Sequence, residues 1–269
     1  DAAVNFAAES HVDRSIHDAS DFIETNVRGA YNVLTAARDA GVERVLHIST
    51  DEVYGPATAE DPRREDDAFR PRSPYAVSKA AGDMMCRAFA ETYGLQVVVA
   101  RPANNIGPYQ YPEKAIPLFV TNALDGEPLP VYGKGLQQRD RLYVDDNVRA
   151  LLLLLERGEK GEAYNIQADN HRTNIDVARA ILARLDKPYD LIKYVDDREG
   201  HDACYYMDWS KLRALGWAPR YDFDASLNRT VDWYRDNRAW WEKIKSGDFR
   251  RFYERQYAAR LAGARPYAG

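Results

Sequence analysis

Cysteine is nearly absent: Cys86 and Cys204 are the only two in 269 residues. They form no CxxC pair, which excludes a disulfide framework, argues against a structural zinc and points to a reducing compartment. The five histidines are scattered, so no metal site is expected. Basic runs interleaved with aromatics are missing and the net charge is −5, which makes nucleic acid an unsuitable main partner. The longest apolar run, around Leu151 to Leu155, falls far short of the roughly 20 residues a membrane span needs. The opening residues carry no signal-peptide pattern, so a soluble, cytoplasmic protein without membrane partners is expected. Also missing is a G-x-x-G-x-x-G fingerprint after an initial strand.

What is present is a chain with 45% hydrophobic residues, ample for a large core. "AAVNFAAE" (2–9) reads as a central buried strand, followed by a helical pattern over 19–40 that stops at Gly41. A strand over 44–49, a helix over 74–94 and a strand over 95–102 come next. Strands alternating with helices of this length predict βαβ units and a parallel sheet, and the apolar strands suit a sheet covered on both faces. Beyond Pro102 the chain is richer in Pro, Gly and Tyr, as in a second lobe built of short pieces. A helix near 144–156, a strand "AYNIQ" rejoining the main sheet, a helix over 174–185, a strand "LIKYV" and closing helices are expected after it.

Two stretches carry chemistry. "STDEVYG" sets Asp51 and Glu52 behind Thr50 at the end of a buried strand. Adjacent carboxylates are costly there unless solvated or compensated, and a solvated strand end is the plain alternative to an acid–base pair. "SPYAVSKAAGD" places Tyr75 and Lys79 four apart, on one face of a helix. An ammonium beside a phenol lowers its pKa and makes the tyrosine a general base.

Taken with the βαβ context, Thr50, Tyr75 and Lys79 resemble the triad of the short-chain dehydrogenase/reductase superfamily, in its extended, sugar-nucleotide-modifying branch. "FAAESHVDRSI", "STDEVYG", "SPYAVSKAAGD", "RPANNIGPYQYPEKAIPLF", "VYGKGLQQRDRLYVDD", "YNIQADNHRTNIDV" and "DREGHD" occur in the order and rough spacing of the dTDP-glucose 4,6-dehydratase family, up to about Tyr257. The resemblance implies a Rossmann-type doubly wound parallel sheet, its N-terminal part missing, with a smaller α/β substrate lobe. Residues 1–104 with about 138–168 would form the NAD-binding domain, and 105–137 with 169–269 the sugar-nucleotide lobe.

It also implies roles. Tyr75 would take the proton of the sugar 4-hydroxyl while hydride leaves C4 for NAD. Glu52 would remove the acidified C5 hydrogen, and Asp51 would protonate the departing 6-hydroxyl before hydride returns to C6. The product would be a 4-keto-6-deoxy sugar nucleotide. Neighbouring carboxylates push their titrations apart, which suits one acid and one base. Thr50 would bond the 4-oxygen, and Lys79 would touch the nicotinamide ribose. Ala7, Ala8, Glu9, Thr25 and Asn105 match cofactor contacts, with Tyr75 and Lys79. Ser10, Asn104, Lys114, Tyr132, Arg139 and Asn174 match contacts to the nucleoside-diphosphate sugar, though a turn-forming asparagine or a surface Lys114 or Arg139 is the ordinary alternative. Arg139 is favoured because a guanidinium grips phosphate bidentately. His201 is expected to be a structural hydrogen-bonder, and Trp240 and Trp241 to be packing.

The departures matter too. Cys204 stands where an arginine reaching the phosphates is usual, so nucleotide binding is expected to be weakened or altered unless a cation such as Arg198 compensates. Arg141 replaces a common aromatic, and Ala115 a common leucine. The chain opens at the family's fourth strand, so truncation and an uncovered sheet edge are expected, with the activity belonging to the intact protein. UDP- or GDP-sugar 4,6-dehydratases, 4-epimerases and decarboxylases remain alternatives, the last two needing only the Tyr–Lys pair. A noncatalytic binding or scaffolding protein is the alternative of another class. The helices over 19–40 and 74–93 match those of a four-helix homodimer interface.

Overall fold

The computed structural model describes residues 1–267. Four strands pair in parallel in the order β1 (Ala2–Asn5), β2 (Arg44–Ile48), β3 (Val97–Pro102), then β7 (Ala163–Ile166). Between β3 and β7 the chain adds β4 (Asn104–Ile106), β5 (Leu129–Tyr132) and β6 (Gln138–Tyr143); β8 (His171–Thr173), β9 (Ile192–Val195) and β10 (Arg265–Pro266) follow. The helices are α1 (Val12–His17), α2 (Ser20–Phe22), α3 (Gly29–Asp39), α4 (Pro74–Tyr93), α5 (Ala115–Asp125), α6 (Val144–Arg157), α7 (Asn174–Arg184), α8 (Ser210–Ala214), α9 (Phe223–Asp236), α10 (Arg238–Ile244) and α11 (Asp248–Ala262).

Period-two alternation sorts the strand residues between two buried faces. Val45, Val97 and Val99 pack with Leu34 of α3 and Phe89 of α4, whereas Leu46, Val98 and Ala100 pack with Leu151 and Leu154 of α6. The first strand departs from the expectation of a central position. Among the described strands β1 pairs only with β2, and Val4 and Phe6 are 39% and 61% exposed. Its apolar composition has no described neighbour on the outer side.

A second sheet, β10–β9–β5, packs with α5, α7, α9 and α10 through Val131, Ile192, Phe119, Ile181, Val231 and Trp241. A third, β4–β6–β8, runs parallel between β4 and β6 and antiparallel between β6 and β8. The helix expected over 19–40 forms, but residues Ile23–Arg28 are wound as a π-helix between α2 and α3. Such wide turns are rare and gather at functional sites. Helix α4 begins where local chemistry dictates: the Ser73 hydroxyl accepts from the Ala76 amide, and Pro74 occupies the first turn. It stops at Gly94, whose φ of 73° is left-handed.

Candidate active site

Strand β2 delivers Ser49 and Thr50 to the carboxyl end of the parallel sheet, where ligands bind in folds of this kind. Extended Thr50 caps a 3₁₀ turn, Asp51–Tyr54, its hydroxyl oxygen accepting from the Glu52 amide at 3.3 Å. The same hydroxyl donates to Asp51 Oδ1 at 3.0 Å. The turn ends at Gly55, where a Cβ would stand 2.4 Å from the Arg70 carbonyl oxygen, so only glycine fits.

Asp51 is 3% exposed. Burial first, then the charge of Glu52, pushes its carboxyl up to about 7, against the pull of Arg139. Burial also raises Glu52, but Arg198, Arg139 and Lys114 oppose that rise. Both carboxyls thus end above their ordinary range, but in different fields: Asp51 is raised further by Glu52, whereas three cations partly offset the rise of Glu52.

Tyr75 lies in the first turn of α4, its backbone amide bonded to Ser15 Oγ at 3.2 Å and its ring edge-on to Phe22. One turn on, Lys79 Nζ donates to the Ile48 carbonyl at 2.5 Å. The expected depression of the tyrosine by its lysine does not occur here. Burial, followed by Glu52 and Asp51, drives the Tyr75 phenol far up, with only the Thr50 hydrogen bond opposing. The physical reason is that the ammonium is committed to β2 while two acids face the phenol. Lys79 is itself pushed down to about 8 by burial.

Thr50, Asp51, Glu52, Tyr75 and Lys79 all open onto one cavity of about 430 Å³, which Ala8, Ser10, Asn104, Asn105, Lys114 and Arg141 also line. Of the residues matched to the cofactor, Ala8, Tyr75, Lys79 and Asn105 reach it; Ala7, Glu9 and Thr25 do not. Glu9 instead exchanges two backbone hydrogen bonds with the buried Asn26 side chain, at 2.8 and 2.9 Å. Asn26 also donates to Ser78 Oγ at 2.8 Å. It ties the β1 end to α4, a role no sequence signal announced.

Ser49 Oγ and Asn105 Oδ1 are buried beside this cavity without a partner among the described residues. Unpaired buried polar atoms call for a ligand or water. Together with Lys79 and Tyr75 they fit the amide and ribose of a nicotinamide cofactor. No glycine-rich turn for its pyrophosphate occurs in the chain.

A second cavity of about 160 Å³ adjoins the first, and Ser10, Asn104, Lys114, Tyr132, Arg139 and Asn174 all line it. Lys114, which donates to the Ser10 carbonyl, is held below its ordinary range by burial. Tyr132 donates to Asp13 at 2.8 Å and accepts from Gln256 at 2.6 Å. Asp13 also pairs with Arg198 at 2.6 Å; burial pushes its carboxyl up, yet Arg198 and His11 outweigh this and hold it low. Asp13 and Gln256 were missed in the sequence because their partners lie more than a hundred residues away.

His201 bonds Asp197 at 2.7 Å, as a structural hydrogen-bonder should, and burial followed by Arg198 pushes it down to about 4. Trp241 is fully buried, and Trp240 packs edge-on to Trp233. Cys204 Sγ sits 3.7 Å from Gln138 Oε1 and does not line the cavity.

The profile of the NAD dependent epimerase/dehydratase family matches residues 1–166. A dTDP-glucose 4,6-dehydratase of Streptomyces niveus is 49% identical over 249 residues, 92% of this chain and 74% of that protein. One from Neisseria meningitidis serogroup B is 46% identical over 272 residues, covering 93% and 77%. Among solved structures, DesIV, a dTDP-glucose 4,6-dehydratase from Streptomyces venezuelae with NAD and TYD bound, superposes with a TM-score of 0.89 at 50% identity, over 91% of this chain and 76% of that one.

Proposed function

The chain belongs to the NAD dependent epimerase/dehydratase family, and within it we propose that it dehydrates dTDP-glucose to dTDP-4-keto-6-deoxyglucose. One observation carries the assignment: Tyr75, Asp51 and Glu52 face a single cavity at the carboxyl end of the sheet, the two acids in different electrostatic surroundings. Epimerisation or decarboxylation needs the Tyr–Lys pair but gives no use to both acids.

Bound NAD would supply the hydride acceptor for C4 and the hydride donor for C6. The chain's own groups move the protons. As a phenolate, Tyr75 takes the proton of the 4-hydroxyl, and Thr50 holds that oxygen. In the chain alone burial, then Glu52 and Asp51, keep Tyr75 a phenol, so it must first lose its own proton; protonation of Asp51 and the positive charge that bound NAD would bring both favour that loss. Glu52 then removes the C5 hydrogen acidified by the 4-ketone. Asp51, carrying its proton near neutrality, delivers it to the leaving 6-oxygen, so that water departs and the bond order rises between C5 and C6; Glu52 gives its proton back to C5 as C6 is reduced. Lys79, Ala8 and Asn105 would hold the nicotinamide end. Lys114, Tyr132, Arg139 and Asn174 would hold the nucleotide, with Ser10 and Asn104 at the sugar.

The proposed NAD-binding domain is 1–104 with about 138–168, and the substrate lobe 105–137 with 169–269. The separate β1–β2–β3–β7 and β10–β9–β5 sheets support this division, while β6 pairs across it with β8. A homodimer through α3 and α4 is supported by Tyr31, Val77 and Met84, which are 48%, 48% and 62% exposed on them; light scattering that shows only monomer would remove it. No described helix is long and apolar enough to cross a membrane, and a cytoplasmic site of action is proposed with it.

The decisive experiment incubates the intact protein with dTDP-, UDP- and GDP-hexoses. A 4-keto-6-deoxy product from the dTDP sugar is expected. An inverted hexose, or a pentose with carbon dioxide, would replace the assignment by epimerase or decarboxylase.

A further inference from the structure

Strand β6 presents two arginines, Arg139 and Arg141, on one face, because side chains two apart on a strand point the same way. Both are buried, 7% and 5% exposed. Among the described residues neither forms an ion pair. The carboxylate between them cannot serve: Asp140 points away and accepts from the Ala168 and Asn170 amides at 2.7 and 2.5 Å. Arg139 at least satisfies its guanidinium, donating to the Gln138 and Asp202 carbonyls at 2.7 and 2.9 Å and lying 4.2 Å over the Tyr205 ring.

Arg141 has much less. Among the described residues its guanidinium donates one hydrogen bond, to Asn174 Oδ1 at 2.7 Å, and its Nε is buried without a partner. A guanidinium taken out of water beside a second guanidinium is expensive to hold unless an anion completes it. Burial, then Arg139, pushes Arg141 down to about 9, with Asp140 and Asp51 opposing only in part.

Position identifies the anion. Arg141 lines both cavities, and so do Ser10, Glu52, Asn104 and Lys114. A nucleoside-diphosphate sugar with its hexose over Asp51 and Tyr75 and its nucleotide beside Tyr132 must lay its diphosphate across this junction. Sequence context adds a second reason. Family resemblance leads one to expect an aromatic at 141 and an arginine at 204. Here the guanidinium is at 141 and a thiol at 204, and both positions belong to one strand's surroundings: Arg141 lies within β6, and Cys204 bridges to Gln138 at its start.

We infer that Arg141 is a diphosphate-binding residue of this chain, supplying from within β6 the cationic contact that Cys204 cannot make. The inference rests on the nucleotide-sugar reading above. Its test is calorimetric titration of the intact protein and its variants with dTDP and with thymidine. Arg141→Trp, restoring the aromatic, should weaken dTDP binding about 10- to 100-fold and leave thymidine binding unchanged. Cys204→Arg alone should add little, because the charge is already present. The double variant Arg141→Trp/Cys204→Arg should recover most of the lost dTDP affinity.

Unchanged dTDP binding in Arg141→Trp, or an equal loss for thymidine, would overturn the role. If circular dichroism shows that the tryptophan variant is misfolded, Arg141→Gln decides the matter by the same comparison. UDP and GDP titrations separate this outcome from failure of the reading beneath it. Arg141-dependent binding of either would keep the role and change the base, whereas no diphosphate binding to the unaltered protein would sink both.

Discussion

The two adjoining cavities share Glu52, Lys114 and Arg141 and differ in what else faces them. The larger adds Asp51, Tyr75 and Lys79, where burial raises the acid and the phenol and lowers the lysine; the smaller adds Arg139, Arg198 and His201 with Asp13 and Glu113, and burial lowers His201. One physical cause, loss of water, acts on both, and each group responds by disfavouring its charged form. The difference teaches what each side awaits. The larger cavity, with the adjacent acids and the phenol, is the acidic side and suits a neutral sugar whose protons are to be moved; the smaller, with Arg139 and Arg198, is the more basic and suits a group that brings negative charge.

Removing the phenol is the hardest blow to the acidic side. Tyr75→Phe should lower kcat about 10³-fold while dTDP affinity, measured by calorimetry, stays put; a parallel loss of binding would mean that the cavities are not functionally separate. Next, Glu52→Gln should lower kcat by about 10²-fold and abolish exchange of the substrate C5 hydrogen with deuterium oxide. Retained exchange would remove Glu52 from that step.

Asp51 sharpens the comparison through pH. Its folded pKa, about 7, lies above the ordinary 3.8, so the folded state holds a proton that the unfolded chain has lost between those values. Its contribution to stability is present at low pH and declines as pH rises through that window. Asp51→Asn should therefore gain stability relative to the unaltered protein between pH 5 and pH 8, by on the order of 2–4 kcal/mol in urea unfolding. An equal difference at both pH values would show that Asp51 titrates normally. The smallest effect is expected at Cys204→Arg, whose dTDP affinity should change by less than about threefold; a large gain would mean that the basic cavity lacks a charge after all.

The sheet was legible because its strands are short apolar runs, and Val97–Ala100 reads as buried on both faces without further help. Gly41 and Gly94 marked where helices stop. The six-residue helix α1 and the π-helical stretch before α3 left no usable period. At the site, the Thr50–Glu52 and Tyr75–Lys79 stretches were legible because the residues that matter are close in sequence. Asn26, Asp13 and Gln256 were not, since each acts through partners brought near only by the fold. The direction of Lys79 was misread for the same reason: helical spacing places it under Tyr75 but does not reveal the Ile48 carbonyl that captures it.

Glu52 borders both cavities; burial raises its affinity for hydrogen ions, and Arg198, Arg139 and Lys114 hold that rise in check. A nucleotide entering there screens those cations and makes the carboxylate more basic before any sugar is present. Ligand capture therefore draws hydrogen ions from solution, and the heat released on mixing must vary with the ionisation enthalpy of the buffer. The handle of the substrate, rather than the ring on which the enzyme works, would thus set both the strength of the Glu52 base and the fraction of it left as carboxylate.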